Sequence, residues 1–454
     1  MRSPREKKNI MENINKKVHI ISLGCVKNTV DSEIIAGGLE SAGIELVDEP
    51  TDASTIIINT CGFIGDAKLE SIEVILEAAQ LKTDGQLKEL LVAGCLSARY
   101  KKELTQEIPE VDQFFVTEDF RNIFDYIASK PHLADDPDHR RKLLTPRHYA
   151  YLKISEGCDN VCSFCAIPLM RGKQRSREID SLVSEAHSLV ARGVKEMMVI
   201  GQDTTTYGWD LKPKRYLHEL LAELDEVEGL EWIRLHYAHP SHFSRKLIPI
   251  FKNAKRLLPY LDIPVQHAST NMLTSMKRGL DADGLRRLLL ELRQEIPQLK
   301  LRTSVIVGFP GETEEDFDTL LNFLEEIQFD RVGVFTYSEE EDTSSADLED
   351  DVPMDVKIQR MDAVMDLQHS IAYNNNQALI GQELDIIIDS PDPDNDQQML
   401  GRTIWDAPEI DQQVFVSGNY DLGSIVKLKI FDAGAYELYA CGPSDNFIPV
   451  VDIN

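Results

Sequence analysis

The chain has 454 residues, with 42% hydrophobic and 28% charged, too long for one core, so two or three globular domains are expected. No apolar run reaches the roughly 18 residues of a membrane span, and no apolar segment follows the basic start, so neither an anchor nor a signal peptide is predicted. The formal charge is -29, from 77 acids against 48 bases, which disfavours a nucleic acid and suits a basic protein partner.

The placement of that charge sharpens the point. Residues 339–351, EEEDTSSADLEDD, hold eight acids and no base, and residues 376–454 hold fourteen acids against three bases. The plain expectation for such runs is a solvated surface. A cytoplasmic location is expected, where reduced thiols favour metal or redox use of cysteine over disulfides.

After a loose tail (1–16), short apolar runs alternate with helical patterns. VHIISLG (18–24), STIIINT (54–60) and ELLVAG (89–94) read as buried strands. DSEIIAGGLESAG (31–43) and LESIEVILEAAQLK (69–82) read as helices. Continuous apolar strands alternating with helices predict a parallel sheet covered on both faces. This first unit spans 17–132, and PHLADDPDHRRK (131–142) reads as a linker.

A second α/β unit over 144–375 repeats the rhythm. Its expected strands are 149–155, 196–201, 232–238, 260–265, 301–309 and 331–337. Six such strands suggest a closed or partial (β/α) barrel. A long helix, 355–381, follows. From 376 to 442 the style changes to short strands, ELDIIID, MLGRTIWDAP, QQVFVSG and SIVKLKIFDAG, which predict a small β-barrel of the OB type. Residues 443–454 are a tail.

Three of the seven cysteines, Cys25, Cys61 and Cys95, each end a predicted strand, 36 and 34 residues apart. Strand C-terminal ends gather on one edge of a doubly wound sheet, so these thiols can meet. Glycines flank them (Gly24, Gly62, Gly94), which lets backbone approach a bulky inorganic group. Three separate buried cysteines are the alternative. Cys441 stands alone and reads as structural.

SEGCDNVCSFC (155–165) puts Cys158, Cys162 and Cys165 within eight positions, directly after a predicted barrel strand. A closed zinc site needs four ligands, and no fourth Cys or His follows closely. Iron–sulfur clusters take thiolates, normally four. Three thiolates leave one iron open to a small molecule. CDNVCSFC resembles the CxxxCxxC signature of the radical S-adenosylmethionine enzymes, with the aromatic Phe164 before the last cysteine. That resemblance implies a 4Fe-4S cluster whose open iron binds S-adenosylmethionine and cleaves it to a 5′-deoxyadenosyl radical.

The upstream triad, the radical core and the C-terminal barrel together resemble the methylthiotransferases. The resemblance implies a second 4Fe-4S cluster on Cys25, Cys61 and Cys95, a TRAM-like barrel over 376–442, and a separate reductant protein. One branch of this family modifies adenosine in transfer RNA. The other modifies the β-carbon of an aspartate in small-subunit ribosomal protein S-twelve. SEGC, IPLMRG, QDTTTYG (202–208) and PVQHAS (264–269) resemble the ribosomal-protein branch. The acidic barrel leans the same way. A non-catalytic iron–sulfur redox protein is the rival class, and it calls for fully ligated clusters.

Further candidates are weaker. Gln202 and Gln266 sit at predicted strand ends, placed to hydrogen-bond the cofactor or to cap a neighbouring helix. Gly308 and Gly311, in TSVIVGFPGET, resemble the segment that packs on the cofactor's adenine. Arg171, Lys173, Arg175 and Arg177 form a basic run, either solvated or facing a carboxylate. His236, His239, His242 and His267 lie near strand ends with no metal spacing.

Overall fold

The computed structural model describes residues 16–128 and 141–442. The expected tails, and most of the expected linker, lie outside the described residues. In the N-terminal unit, β1 (Lys17–Ser22), β2 (Glu45–Leu46), β3 (Thr55–Thr60), β4 (Glu89–Gly94) and β5 (Gln113–Phe114) form a parallel sheet in the order β2-β1-β3-β4-β5. Around it lie α1 (Val26–Ser41), α2 (Gly65–Thr83), α3 (Cys95–Glu107) and α4 (Phe120–Ala128).

Every residue of β3 is buried, because alternate side chains enter two different cores. Ile56 and Ile58 pack with Ile75, Leu90 and Val92, whereas Ile57 packs with Ile34, Leu91 and Phe124. That is why STIIINT reads as an unbroken apolar run. The strand order reverses between β1 and β3, the place where doubly wound sheets bind ligands. The two-residue edge strands β2 and β5 carry too little apolar pattern to be read from sequence.

The central unit is a six-stranded parallel sheet, β6 (Tyr149–Lys153), β9 (Glu196–Ile200), β10 (Trp232–Leu235), β11 (Leu257–Asp262), β12 (Lys300–Val307) and β13 (Arg331–Thr336), in that spatial order. A short antiparallel ribbon, β7 (Ser155–Glu156) with β8 (Arg175–Ser176), frames the CxxxCxxC loop. β6 and β13 do not pair, so the barrel is partial. Its helices are α5 (Ile167–Arg171), α6 (Ile179–Ala191), α7 (Leu217–Asp225), α8 (Leu247–Asn253), α9 (Thr270–Ser275), α10 (Ala282–Glu295) and α11 (Glu314–Ile327). The long helix α12 (Met354–Gln377) packs along β13 and α11.

The C-terminal unit is a closed barrel of β14 (Glu383–Pro391), β15 (Gln398–Thr403), β16 (Gln413–Ser417), β17 (Ile425–Ala433) and β18 (Glu437–Cys441). Four of these strands are legible in sequence. The fifth, ELYAC, is short and closes the barrel by pairing parallel to β16. Cys441 is buried at its end.

The units share packing rather than sitting on linkers. Tyr149, Tyr151, Met198 and Ile200 of the central sheet belong to one apolar cluster with Val30, Ile34 and Phe124 of the N-terminal unit. Trp232, Leu258 and Tyr260 pack against Ile387 and Ala407 of the barrel. Contiguous apolar contacts of this kind hold domains in one relation.

The expectation that the acidic runs are solvated is corrected in part, and the expected linker ends in a buried charge. The end of the expected linker is not solvated: Arg141 is buried, donates to the Tyr151 carbonyl at 2.6 Å and pairs with Glu33 and Glu185. The acidic runs are not wholly surface either. Glu340 is 2% exposed and pairs with Arg99 and Lys68 of the N-terminal unit. In the barrel, Asp406 pairs with Arg331, Asp411 with Arg302, and Asp389 with Arg402 and His148. These acids bind the units together, since a buried charge persists only with a partner.

Candidate functional site

Cys25 precedes the first turn of α1, Cys61 follows β3, and Cys95 opens α3 directly after β4. All three therefore stand at the C-terminal edge of the N-terminal sheet. Cys25 is exposed, whereas Cys61 and Cys95 are buried. Burial raises the Cys61 thiol and pushes Cys95 up to about 12. The neighbouring glycines bring the loops together more than they leave room for a ligand. A Cβ on Gly24 would lie 2.6 Å from the Cys61 Cβ, and one on Gly62 would lie 2.8 Å from the Leu96 nitrogen.

Cys158, Cys162 and Cys165 occupy the loop between β7 and α5. The loop is shaped by its backbone: Cys158 N–H donates to Gly172 at 3.1 Å and Cys165 N–H to Cys162 at 3.2 Å. Burial pushes Cys158 up to about 11 and Cys165 up to about 12. None of the six thiols is in a disulfide. Buried thiols this hard to ionise become thiolates readily only against a metal, and metal binding releases their protons. Each set of three holds two such thiols, Cys61 and Cys95 in one and Cys158 and Cys165 in the other, and this donor set fits thiolate-ligated iron–sulfur groups.

Cys162 has two donors aimed at its sulfur. Arg278 donates from Nη1 at 3.1 Å, while its Nη2 donates to the Pro264 carbonyl at 2.7 Å. His239 Nε2 stands 4.0 Å from the same sulfur. Ser241 Oγ lies 2.8 Å from His239 Nδ1, and Ser241 N–H donates to that same nitrogen. Nδ1 is thus the acceptor and Nε2 carries the hydrogen. Burial pushes this ring down to about 3, so it is neutral.

Between the triads lies a buried charge network. Arg171 is 3% exposed. Its Nη1 reaches both oxygens of Glu156 at 2.9 Å, and its Nη2 reaches Asn28 at 2.5 Å and Asp31 at 3.1 Å. Lys153 joins Asp31 at 2.5 Å to Glu156 at 2.8 Å. Asn28 donates to the carbonyls of Leu23 and Thr60, which lie beside Cys25 and Cys61. Arg171, the last residue of α5, therefore ties the helix that follows the Cys158–Cys165 loop to α1, which follows Cys25.

The remaining candidates separate. Phe164 packs with Met272, Met276, Phe309 and Tyr337. Gln202 caps no helix: its Nε2 donates to Glu156 at 2.8 Å. Gln266 has φ 72 and extends the sheet through its backbone, bridging to Val305. Of the basic run, Arg171 is buried, Arg177 pairs with Glu185, Arg175 bonds Glu118 at the surface, and Lys173 is exposed. The histidines are corrected in part. His236 and His267 are buried singly, the latter against Glu312 at 3.1 Å. His239, His242 and Asp203 instead converge, with ligand atoms within 4.8 Å of one another. The residues between strands β9 and β10 hid that spacing.

Three comparisons bear on this arrangement. The Uncharacterized protein family UPF0004 matches residues 17–116, the Radical SAM superfamily 152–324 and the TRAM domain 380–441. Proteins named ribosomal protein uS12 methylthiotransferase RimO are similar over most of the length. The one from Anaeromyxobacter sp. (strain K) is 46% identical over 93% of this chain and 92% of its own. The one from Aquifex aeolicus (strain VF5) is 46% identical over 93% and 96%. The chain belongs to the RimO methylthiotransferase family. It is thus a radical S-adenosylmethionine transferase, a class built on an iron–sulfur cluster and S-adenosylmethionine. The radical S-adenosylmethionine methyltransferase TsrM from Kitasatospora setae shares the fold at 15% identity and a TM-score of 0.51, covering 71% of this chain and 75% of that one. No helix among the described residues is long and apolar enough to cross a membrane.

In this family member the network residues Lys153, Glu156, Asp31 and Asn28 escape a reading by motif. One signal was available: Lys153 ends an otherwise apolar buried strand, and a buried cation needs a partner. The two glycines also differ in what they do. A Cβ on Gly308 (φ +70) would lie 2.2 Å from Cγ of the buried Lys357, whereas one on Gly311 (φ +79) meets nothing within 4 Å. Gly308→Ala is expected to lose about 1–2 kcal/mol to backbone strain and a further ~1–3 kcal/mol to crowding. Gly311→Ala should lose only the first. Denaturant unfolding of the two apoproteins checks this, and equal losses would show that Lys357 gives way.

Proposed function

We propose that this chain adds a methylthio group to the β-carbon of an aspartate in ribosomal protein uS12. Cys158, Cys162 and Cys165 hold one 4Fe-4S cluster, to which S-adenosylmethionine binds. Cys25, Cys61 and Cys95 hold a second. The observation that carries this reading is two separate sets of three thiols at facing strand edges, joined through Arg171. A fully ligated electron carrier needs four thiolates per cluster, and the three-plus-three division disfavours it.

The bound groups supply one-electron cleavage of the sulfonium, hydrogen abstraction and the transferred sulfur. The chain supplies position. Arg278 and His239 set N–H donors on Cys162, and hydrogen bonds to cluster sulfurs tune reduction potential. Phe164, Gln202, Gln266, Gly308 and Gly311 border the cofactor's place at the strand ends. Arg171, Glu156 and Lys153 hold the two edges in register, which a transfer between them requires. A separate protein reductant delivers the electron, and nucleic acid is not bound directly.

Intact mass spectrometry of uS12 from cells lacking their own enzyme, with and without this chain, tests the reading. The expected result is a gain of one methylthio group, localised to an aspartate. No gain from cluster-loaded protein, with modified adenosine in transfer RNA instead, would overturn it.

A further inference from the structure

Cations crowd the space between the triads, and nearly all are engaged. Arg171 and Lys153 are held by Glu156 and Asp31, Arg177 by Glu185, and Arg278 by Pro264 and Cys162. Lys27 differs. It is 7% exposed, yet its ammonium makes no hydrogen bond or ion pair among the described residues. Its one described contact is with the ring of Tyr237, whose centroid is 3.0 Å from Nζ, and its charge also helps to hold the buried His236 ring neutral. A cation over an aromatic face gains about 0.5–2 kcal/mol. The side chain is buried, but Nζ is not among the enclosed atoms that lack a partner, so the ammonium stays open to a ligand.

The position is informative. Lys27 is the second residue of α1, two places after Cys25, at the C-terminal edge of the N-terminal sheet. Tyr237 follows β10 at the corresponding edge of the central sheet. Its backbone is pinned there: its N–H donates to Asp262 at 3.0 Å, its carbonyl accepts from Thr204 at 3.1 Å, and its φ is 57. The lysine thus bridges the two edges that carry the triads.

We infer that Lys27 binds the side-chain carboxylate of the substrate aspartate. This rests on the function proposed above. The chemistry fits, because the reacting β-carbon is one bond from that carboxylate. Holding the carboxylate places the carbon within a narrow range, and the ring of Tyr237 limits where the ammonium can stand. Lys27 acts here as a positioning and specificity residue.

The test uses the reconstituted, cluster-loaded enzyme without reductant, so that binding is read without turnover. The wild type is expected to bind uS12 about 10- to 100-fold more tightly than uS12 with asparagine at the target position, the usual range for a charged hydrogen bond. Lys27→Met should abolish that preference while leaving S-adenosylmethionine affinity unchanged, and Lys27→Arg should keep part of it. A Lys27→Met enzyme that still discriminates aspartate from asparagine overturns the inference. So does weakened S-adenosylmethionine binding with discrimination intact, which would assign the lysine to the cofactor. Loss of cluster iron in both Lys27→Met and Lys27→Gln overturns it as well, since the lysine would then support the thiols. In a parallel assay with reductant, a wild type that leaves uS12 unmodified removes the proposed function and this inference together. A wild type that modifies uS12 while Lys27→Met still discriminates removes the inference alone.

Discussion

Alanine at Cys158, Cys162 or Cys165 reduces reductive cleavage of S-adenosylmethionine to background, whereas alanine at Cys25, Cys61 or Cys95 leaves cleavage and stops methylthio transfer. That division is the sharpest consequence of two thiol sets on two sheets. Each set stands at its own strand ends, with its own backbone scaffold. Loss of one thiolate from a set of three removes a ligand that a cluster lacks any spare for. Iron content should fall by about half in either group of variants. Chromatographic assay of 5′-deoxyadenosine, alongside iron content and mass spectrometry of uS12, reads all three. Cleavage surviving in the Cys158, Cys162 and Cys165 variants would remove the assignment of the first cluster.

Arg171→Met is expected to be the most damaging change outside the cysteines. The guanidinium is 3% exposed and faces Glu156 and Asp31. Burial alone would raise the Glu156 carboxyl, but Lys153 and Arg171 hold it down to about 2. Removing Arg171 leaves two buried acids to share one lysine, at a cost of about 3–5 kcal/mol. Arg171→Lys should restore little, because one ammonium cannot span Glu156, Asn28 and Asp31 as the fork does. Denaturant unfolding of the apoprotein measures the loss. The transfer-to-cleavage ratio of the loaded enzyme should fall as well, since the same fork joins the two edges. The sign of the pH dependence follows. Glu156 contributes stability in full above its ordinary value of 4.5, and this is lost as pH falls toward 2. Glu156→Gln should flatten that part of the acid limb. An Arg171→Met protein as stable as wild type would show that the network is not held as described.

Much of this architecture was legible because its signals are local. STIIINT and ELLVAG read as strands because both their faces are buried, and apolar residues then run without a break. The cysteines read as a site because each follows such a strand, and topology carries strand ends to one edge. The edge strands β2 and β5, and the closing strand β18, were not legible. Two to five residues with mixed polarity have no pattern until a neighbour pairs with them. The acidic run misled in part. Composition cannot tell a solvated glutamate from Glu340, which is buried against Arg99 some 240 residues away.

The glycines and the basic run carry the same lesson. Gly308 and Gly311 look alike in TSVIVGFPGET, and only the packing of Lys357 separates them. Arg171, Lys173, Arg175 and Arg177 look like one solvated stretch, yet the first is a buried tie between domains and the second is exposed. Sequence alone determined the thiol sets, the two parallel sheets and the small barrel, because periodicity and short spacing express themselves within a few residues. Tertiary structure decided which charges are spent on one another and which, like Lys27, are left over. Those pairings join residues up to 272 positions apart, and their strength comes from exclusion of water, which exists only once the domains have packed.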